Sequence, residues 1–97
     1  MPEVRFTVRW PDDIISECYS PSTVIHDFLQ AQQRYPLDDF MARSRTALTL
    51  ASERVRLKYG YACSSAMDQL QQLEIRATAY QSDPTAAVTL LALRPPV

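Results

Sequence analysis

Glycine is almost missing from this chain: Gly60 is the single example in 97 residues, where an average composition would supply roughly 7%. Phosphate-cradling loops built on several glycines are thereby excluded. Histidine is as scarce, with His26 standing alone, so neither a paired-histidine metal site nor a serine–histidine–aspartate ordering is on offer. The two cysteines, Cys18 and Cys63, lie 45 positions apart without CxxC spacing. That argues against a zinc site and against a disulfide framework. No apolar run approaches the roughly 20 residues that cross a bilayer, and Met1-Pro2-Glu3-Val4-Arg5 alternates instead of leading into an apolar stretch. The expectation is a cytoplasmic protein with no membrane segment, metal or cofactor.

What is present belongs to an ordinary globular chain: 46% hydrophobic and 22% charged residues, enough for one domain over 1–97 with a two-layer core. Val4, Phe6, Val8 and Trp10 alternate with Arg5, Thr7 and Arg9, the two-residue period of a strand with one buried face. Pro11-Asp12-Asp13 supplies a three-residue turn. The resulting hairpin sets Trp10 against Ile14, Val8 against Ser16 and Phe6 against Cys18, with Glu17 on the polar side near Arg5 and Arg9. A short helix over Val24 to Leu29 follows, capped by Ser20 or Ser22, and the polar run Gln30 to Arg34 ends it.

Tyr35-Pro36-Leu37-Asp38-Asp39 is a helix start, because proline suits the first turn and aspartates complement the helix dipole. The spacing of Leu37, Phe40, Met41, Ser44, Leu48, Ala51, Val55 and Tyr59 predicts one buried stripe running to Tyr59. Gly60 is then the left-handed residue that closes the helix. Ser65 and Asp68 open a second helix with Met67, Leu70, Leu73, Ala77 and Tyr80 on its apolar side, and the two helices pack as an antiparallel hairpin. Ala87 to Leu93 is a final strand before Arg94-Pro95-Pro96. The expected class is α+β: an N-terminal β-hairpin, a short helix, a long helix pair, and a C-terminal strand completing a three-stranded antiparallel sheet with helices on one face. Val88 and Leu90 serve the core, which leaves Leu91 and Leu93 on the open side with Ile15 and Tyr19 as an association surface.

Charge is distributed unevenly. Between Phe40 and Gly60, Arg43, Arg45, Arg54, Arg56 and Lys58 face Glu53 alone, so this segment carries +4 and the rest of a chain of net −1 carries −5. Arg43, Arg54 and Lys58 fall along one flank of the predicted helix; Arg45, Ser52 and Arg56 fall along another. Such a ridge docks an acidic partner or clamps a carboxylate or phosphate, although charge clusters on helices are most often solvated faces. Cys63, just ahead of a helix N-terminus, is the candidate reactive thiol, against the commoner role of a packed thiol.

Arg5-Phe6 through Trp10-Pro11-Asp12, Cys18-Tyr19-Ser20-Pro21-Ser22, Tyr35-Pro36-Leu37 and Arg43-Ser44-Arg45-Thr46-Ala47-Leu48 resemble a small bacterial family of nitrogen starvation response proteins. Ala51-Ser52-Glu53-Arg54-Val55-Arg56, Lys58-Tyr59-Gly60 and Ala62-Cys63 extend the resemblance over nearly the whole chain. One departure is Asp13, where the family pattern would place glycine. The resemblance implies a gene neighbourhood of a nitrilase, a radical-SAM protein, an acetyltransferase-like protein, a relative of aminoimidazole ribonucleotide synthase and a flavoprotein, linked to scavenging of nitrile or cyanide nitrogen. It carries no catalytic residues. The reading is therefore a non-catalytic accessory protein that binds a partner from the same cluster, with self-association as a further possibility. The alternatives are a small anion-binding protein or enzyme using the arginines and Cys63, and a nucleic-acid regulator, which the acidic balance and missing reading motif disfavour.

Overall fold

In the computed structural model, which describes residues 3–61 and 64–94, the first hairpin follows the alternation of its sequence. Strands β1 (Val4–Arg9) and β2 (Ile15–Ser20) pair antiparallel with Phe6 opposite Cys18 and Val8 opposite Ser16. Asp13 closes the turn in the left-handed region at φ 68, a conformation that aspartate tolerates and that glycine would adopt at no cost. The Trp10 amide donates to the Ile14 carbonyl at 2.9 Å, and the Trp10 indole N–H donates to Ser16 Oγ at 3.0 Å. Trp10 also meets Phe40 edge-on and stacks on Tyr80, with ring centroids 5.8 and 5.9 Å away. One side chain thus fastens the hairpin to the first long helix and to the turn that follows the second.

The segment after β2 is a tight 3-10 turn over Thr23–Asp27, capped by Ser22, whose Oγ accepts from the Val24 amide. The longer helix expected to Leu29 does not form. The chain then makes a strand that the sequence pattern hid: β3 (Gln33–Pro36), entered through Gln32 at φ 66 and paired with the last strand, Tyr35 opposite Val88. Four residues are too few for alternation to show, and of them Tyr35 is the one buried. Proline at the strand's end blunts a sheet edge, since it offers no N–H to a further strand.

Helix α1 (Leu37–Tyr59) starts immediately from that strand, with Asp38 and Asp39 in its first turn. It buries Phe40, Met41, Ser44, Ala47, Leu48, Ala51, Ser52 and Val55. The stripe ends earlier than its spacing suggests: Val55 is its last buried member and Tyr59 is half exposed. Gly60 terminates the helix at φ 87, its N–H donating to the Arg56 carbonyl at 2.8 Å. Helix α2 (Ser64–Thr78) packs back along α1 through Ala66, Leu73 and Ala77, while Met67 is exposed. Strand β4 (Ala87–Arg94) completes a four-stranded antiparallel sheet in the order β2-β1-β4-β3, one strand more than the sequence suggested.

A bulge in β4 changes which side chains face inward. Thr7 pairs with Ala92 but Val8 pairs with Leu90, so Leu91 is the extra residue. The slip returns Leu93 to the core side opposite Phe6, where it is 8% exposed. The expectation that Leu93 lies on the open face is therefore corrected: strict alternation fails across a bulge. The core between sheet and helices gathers Phe6, Val8, Trp10, Phe40, Leu48 and Leu90, all essentially inaccessible. Each such side chain contributes about 1.5–3 kcal/mol from burial. No described helix is long and apolar enough to cross a membrane.

Candidate functional site

The basic helix is the site that the sequence advertises, and most of its charge is engaged by the chain itself. Arg43 is the most committed: its Nε meets Asp39 at 3.0 Å, one guanidinium nitrogen donates to the Phe28 carbonyl at 3.0 Å, and the group lies 5.1 Å from the Tyr35 ring centre. It ties α1 to the 3-10 segment and to β3. Arg45 reaches across to Glu74 on α2 at 3.0 Å. Arg56 pairs with Glu53, whose carboxyl it holds below the usual range by hydrogen bonding and charge. Among the described residues Arg54 has no ion pair, and Lys58 rests against the Tyr59 ring. The five cations therefore do not converge on one point, and Ser52, placed by spacing on an outer flank, is buried.

A second set of arginines stands on the sheet face that no described element covers. In one row across the sheet, Tyr19 pairs with Arg5 and Arg5 with Arg94. In another, Ile15 pairs with Arg9, Arg9 with Thr89, and Thr89 with Arg34. Glu17 is the one carboxylate in these paired strands on this face; it accepts from the Thr7 hydroxyl at 2.9 Å and lies 3.5 Å from Arg94. The pairing of Glu17 with Arg5 and Arg9 expected from the hairpin is thus replaced by Arg94, which β4 brings alongside. Arg5 lies 5.8 Å from the centre of the Tyr19 ring. Alternation in β1 already exposed Arg5 and Arg9, but Arg34 needed the unseen β3 and Arg94 needed the bulge. Of the expected association surface, Ile15 is 56% exposed, Tyr19 and Leu91 are half-buried, and Leu93 has turned inward.

The concave regions offer little chemistry. An open groove of about 760 Å³ runs between α1, α2 and the start of β4, floored by Leu37, Met41 and Ala77. Its arginine, Arg45, is occupied by Glu74, and Asp38 and Asp83 make its rim acidic, which does not suit a carboxylate or phosphate. The hydroxyl of Thr78 there donates to the Ile75 carbonyl at 2.6 Å. Cys18 is buried, and burial, with Glu17 adding to it, pushes its thiol from 9.0 up to about 12, so it is a packed sulfur rather than a nucleophile. Cys63 lies outside the described residues. His26 is half-buried and its Nε2 has no hydrogen-bond partner among the described residues. No group of three or more histidine, cysteine or carboxylate side chains among them is placed to hold a metal ion.

The family model described as nitrogen starvation-induced protein NitG matches residues 5–93, a span that contains both helices and reaches into every strand, leaving out only the end residues Val4 and Arg94. No curated protein and no solved structure matches the chain.

Proposed function

The chain belongs to the family of nitrogen starvation-induced protein NitG, and on that premise we propose that it is a small cytoplasmic accessory protein that docks another protein and performs no catalysis itself. The observation that carries this reading is the contrast between concavities and surface. The groove between the helices and the start of β4 has its arginine paired with Glu74 and an acidic rim, while arginine, tyrosine and aliphatic side chains crowd the exposed sheet face. Arginine and tyrosine are the residues enriched where proteins bind proteins. The partner is one of the proteins encoded beside members of the family, in the assimilation of nitrile or cyanide nitrogen.

Affinity capture of the tagged chain from nitrogen-starved and nitrogen-replete cells, followed by mass spectrometry, tests the reading. A single near-stoichiometric partner enriched on starvation is expected. Capture of nothing under starvation, or turnover of a nitrile or amide by the purified chain, would overturn it.

A further inference from the structure

The open face of the sheet has a cost that the chain recovers only in part, through the Glu17–Arg94 pair and the Tyr19 ring beside Arg5. Arg5 and Arg94 are directly opposite on neighbouring strands, and like charges so placed destabilise a sheet. Arg9 and Arg34 flank Thr89 from either side, their backbones two strand spacings, or roughly 10 Å, apart. Arg5 and Arg9 are separated by four residues of one strand, about 13 Å. Within the paired strands four guanidinium groups and one carboxylate give +3 on this face, with Asp13 and Asp83 standing at its Arg9–Arg34 end. Arg5, Arg9 and Arg34 have no ion pair among the described residues.

From this we infer that the open sheet face is a docking surface for a carboxylate-rich protein segment. The inference rests on the partner-docking reading and adds to it the surface and the chemistry of the partner. The spread of the arginines is too wide for one small anion. It fits several carboxylates displayed along an extended or helical segment, each met by a planar guanidinium fork. Leu91 and Ala92 lie between the basic rows and Ile15 ends one of them, which gives such a segment apolar contact.

Charge and ring content choose among polyanions. A single-stranded nucleic acid is held by two or three stacking rings and a strongly positive body. Here one ring, Tyr19, stands among the paired strands of the face, and the whole chain is acidic, with pI near 5.7. A second copy of the chain is disfavoured as well, because a twofold contact through this face would set arginines against arginines.

The test uses the purified full-length chain and a fluorescent polyglutamate of about twenty residues as a stand-in for an acidic segment, with an oligothymidylate of similar length as competitor. Polyglutamate should bind in a salt-sensitive manner and outcompete oligothymidylate. Arg9→Ser/Arg34→Ser and, independently, Arg5→Ser should each weaken it about tenfold, with melting curves confirming the fold. Arg54→Ser/Lys58→Ser should leave binding within twofold of wild type. Absence of polyglutamate binding, equal binding by the sheet-face variants, preference for the oligonucleotide, or a dimer that these variants abolish would each overturn the inference. Capture from cells tests docking whatever the face, and polyglutamate tests the face whatever the partner, so the two failures are distinguishable.

Discussion

Arginine serves two opposite purposes in this molecule. On α1, Arg43, Arg45 and Arg56 each meet a carboxylate of their own chain, and Arg43 adds a carbonyl and a ring. On the sheet, Arg5 and Arg94 oppose each other, and Arg9 and Arg34 flank a threonine. The first set holds elements together, whereas the second, the Glu17–Arg94 pair apart, adds repulsion to the strands that carry it. Residues retained against local stability are those that function explains best. The difference teaches that a run of charge in sequence is a poor guide to a free charged surface.

The sheet set exists only while the hairpin keeps its register, so the contrast breaks most severely at Trp10. Trp10→Ala removes the indole packed on Phe40 and Tyr80 and its hydrogen bond to Ser16, and should cost about 3–5 kcal/mol in urea unfolding. Cys18, on the inward side of the same β2 that displays Tyr19 and Ile15, supplies the next effect. Below pH 9.0 its thiol is protonated in both folded and unfolded chains. Above that the unfolded thiol ionises while the folded one holds its proton until about pH 12. The folded state then binds more protons, so stability falls as pH rises through this window, by about 1.4 kcal/mol per unit. The fall is measured as the difference between wild type and Cys18→Ala, and equal alkaline slopes would place the thiol in solvent.

Gly60→Ala probes the end of the paired helix. A Cβ there meets nothing within 4 Å, so the penalty is that of the left-handed backbone, about 1 kcal/mol. Denaturant midpoints of the two proteins give it directly. The charge variants should move stability least. Glu74→Gln frees Arg45 from a half-exposed pair and should cost less than about 1 kcal/mol. Arg5→Thr relieves the opposition to Arg94 and should leave the melting midpoint unchanged or slightly raised while polyglutamate binding falls. A marked loss of stability would make Arg5 a structural residue and erase the distinction between the two sets.

Much of the scaffold was legible because it follows simple periods. The β1–β2 register, the left-handed turn residue, the extent of α1 and its Gly60 terminus are all local patterns of alternation or capping. Strand β3 was hidden because Tyr35-Pro36 also makes a plausible helix start and four residues show no period. The bulge at Leu91 was hidden because both candidate phases of an all-apolar strand look alike, and it turned Leu93 from an expected surface residue into a core one. The sheet-face arginines were therefore invisible as a set: residues 5, 9, 34 and 94 come together only through the register of three strands. The arginines of α1 were conspicuous, yet their partners Asp39 and Glu74 depend on helix geometry and on the packing of α2.

Site-specific photo-crosslinking in nitrogen-starved cells separates the two regions in one measurement, with a photoreactive residue placed at Ile15 on the sheet face or at Leu57, 73% exposed on α1. Docking through the sheet predicts a discrete higher-mass adduct from position 15, mapped by mass spectrometry to a carboxylate-rich segment of one other protein, and none from position 57. An adduct formed from position 57 and absent from position 15 would contradict the account and return the partner to the helix.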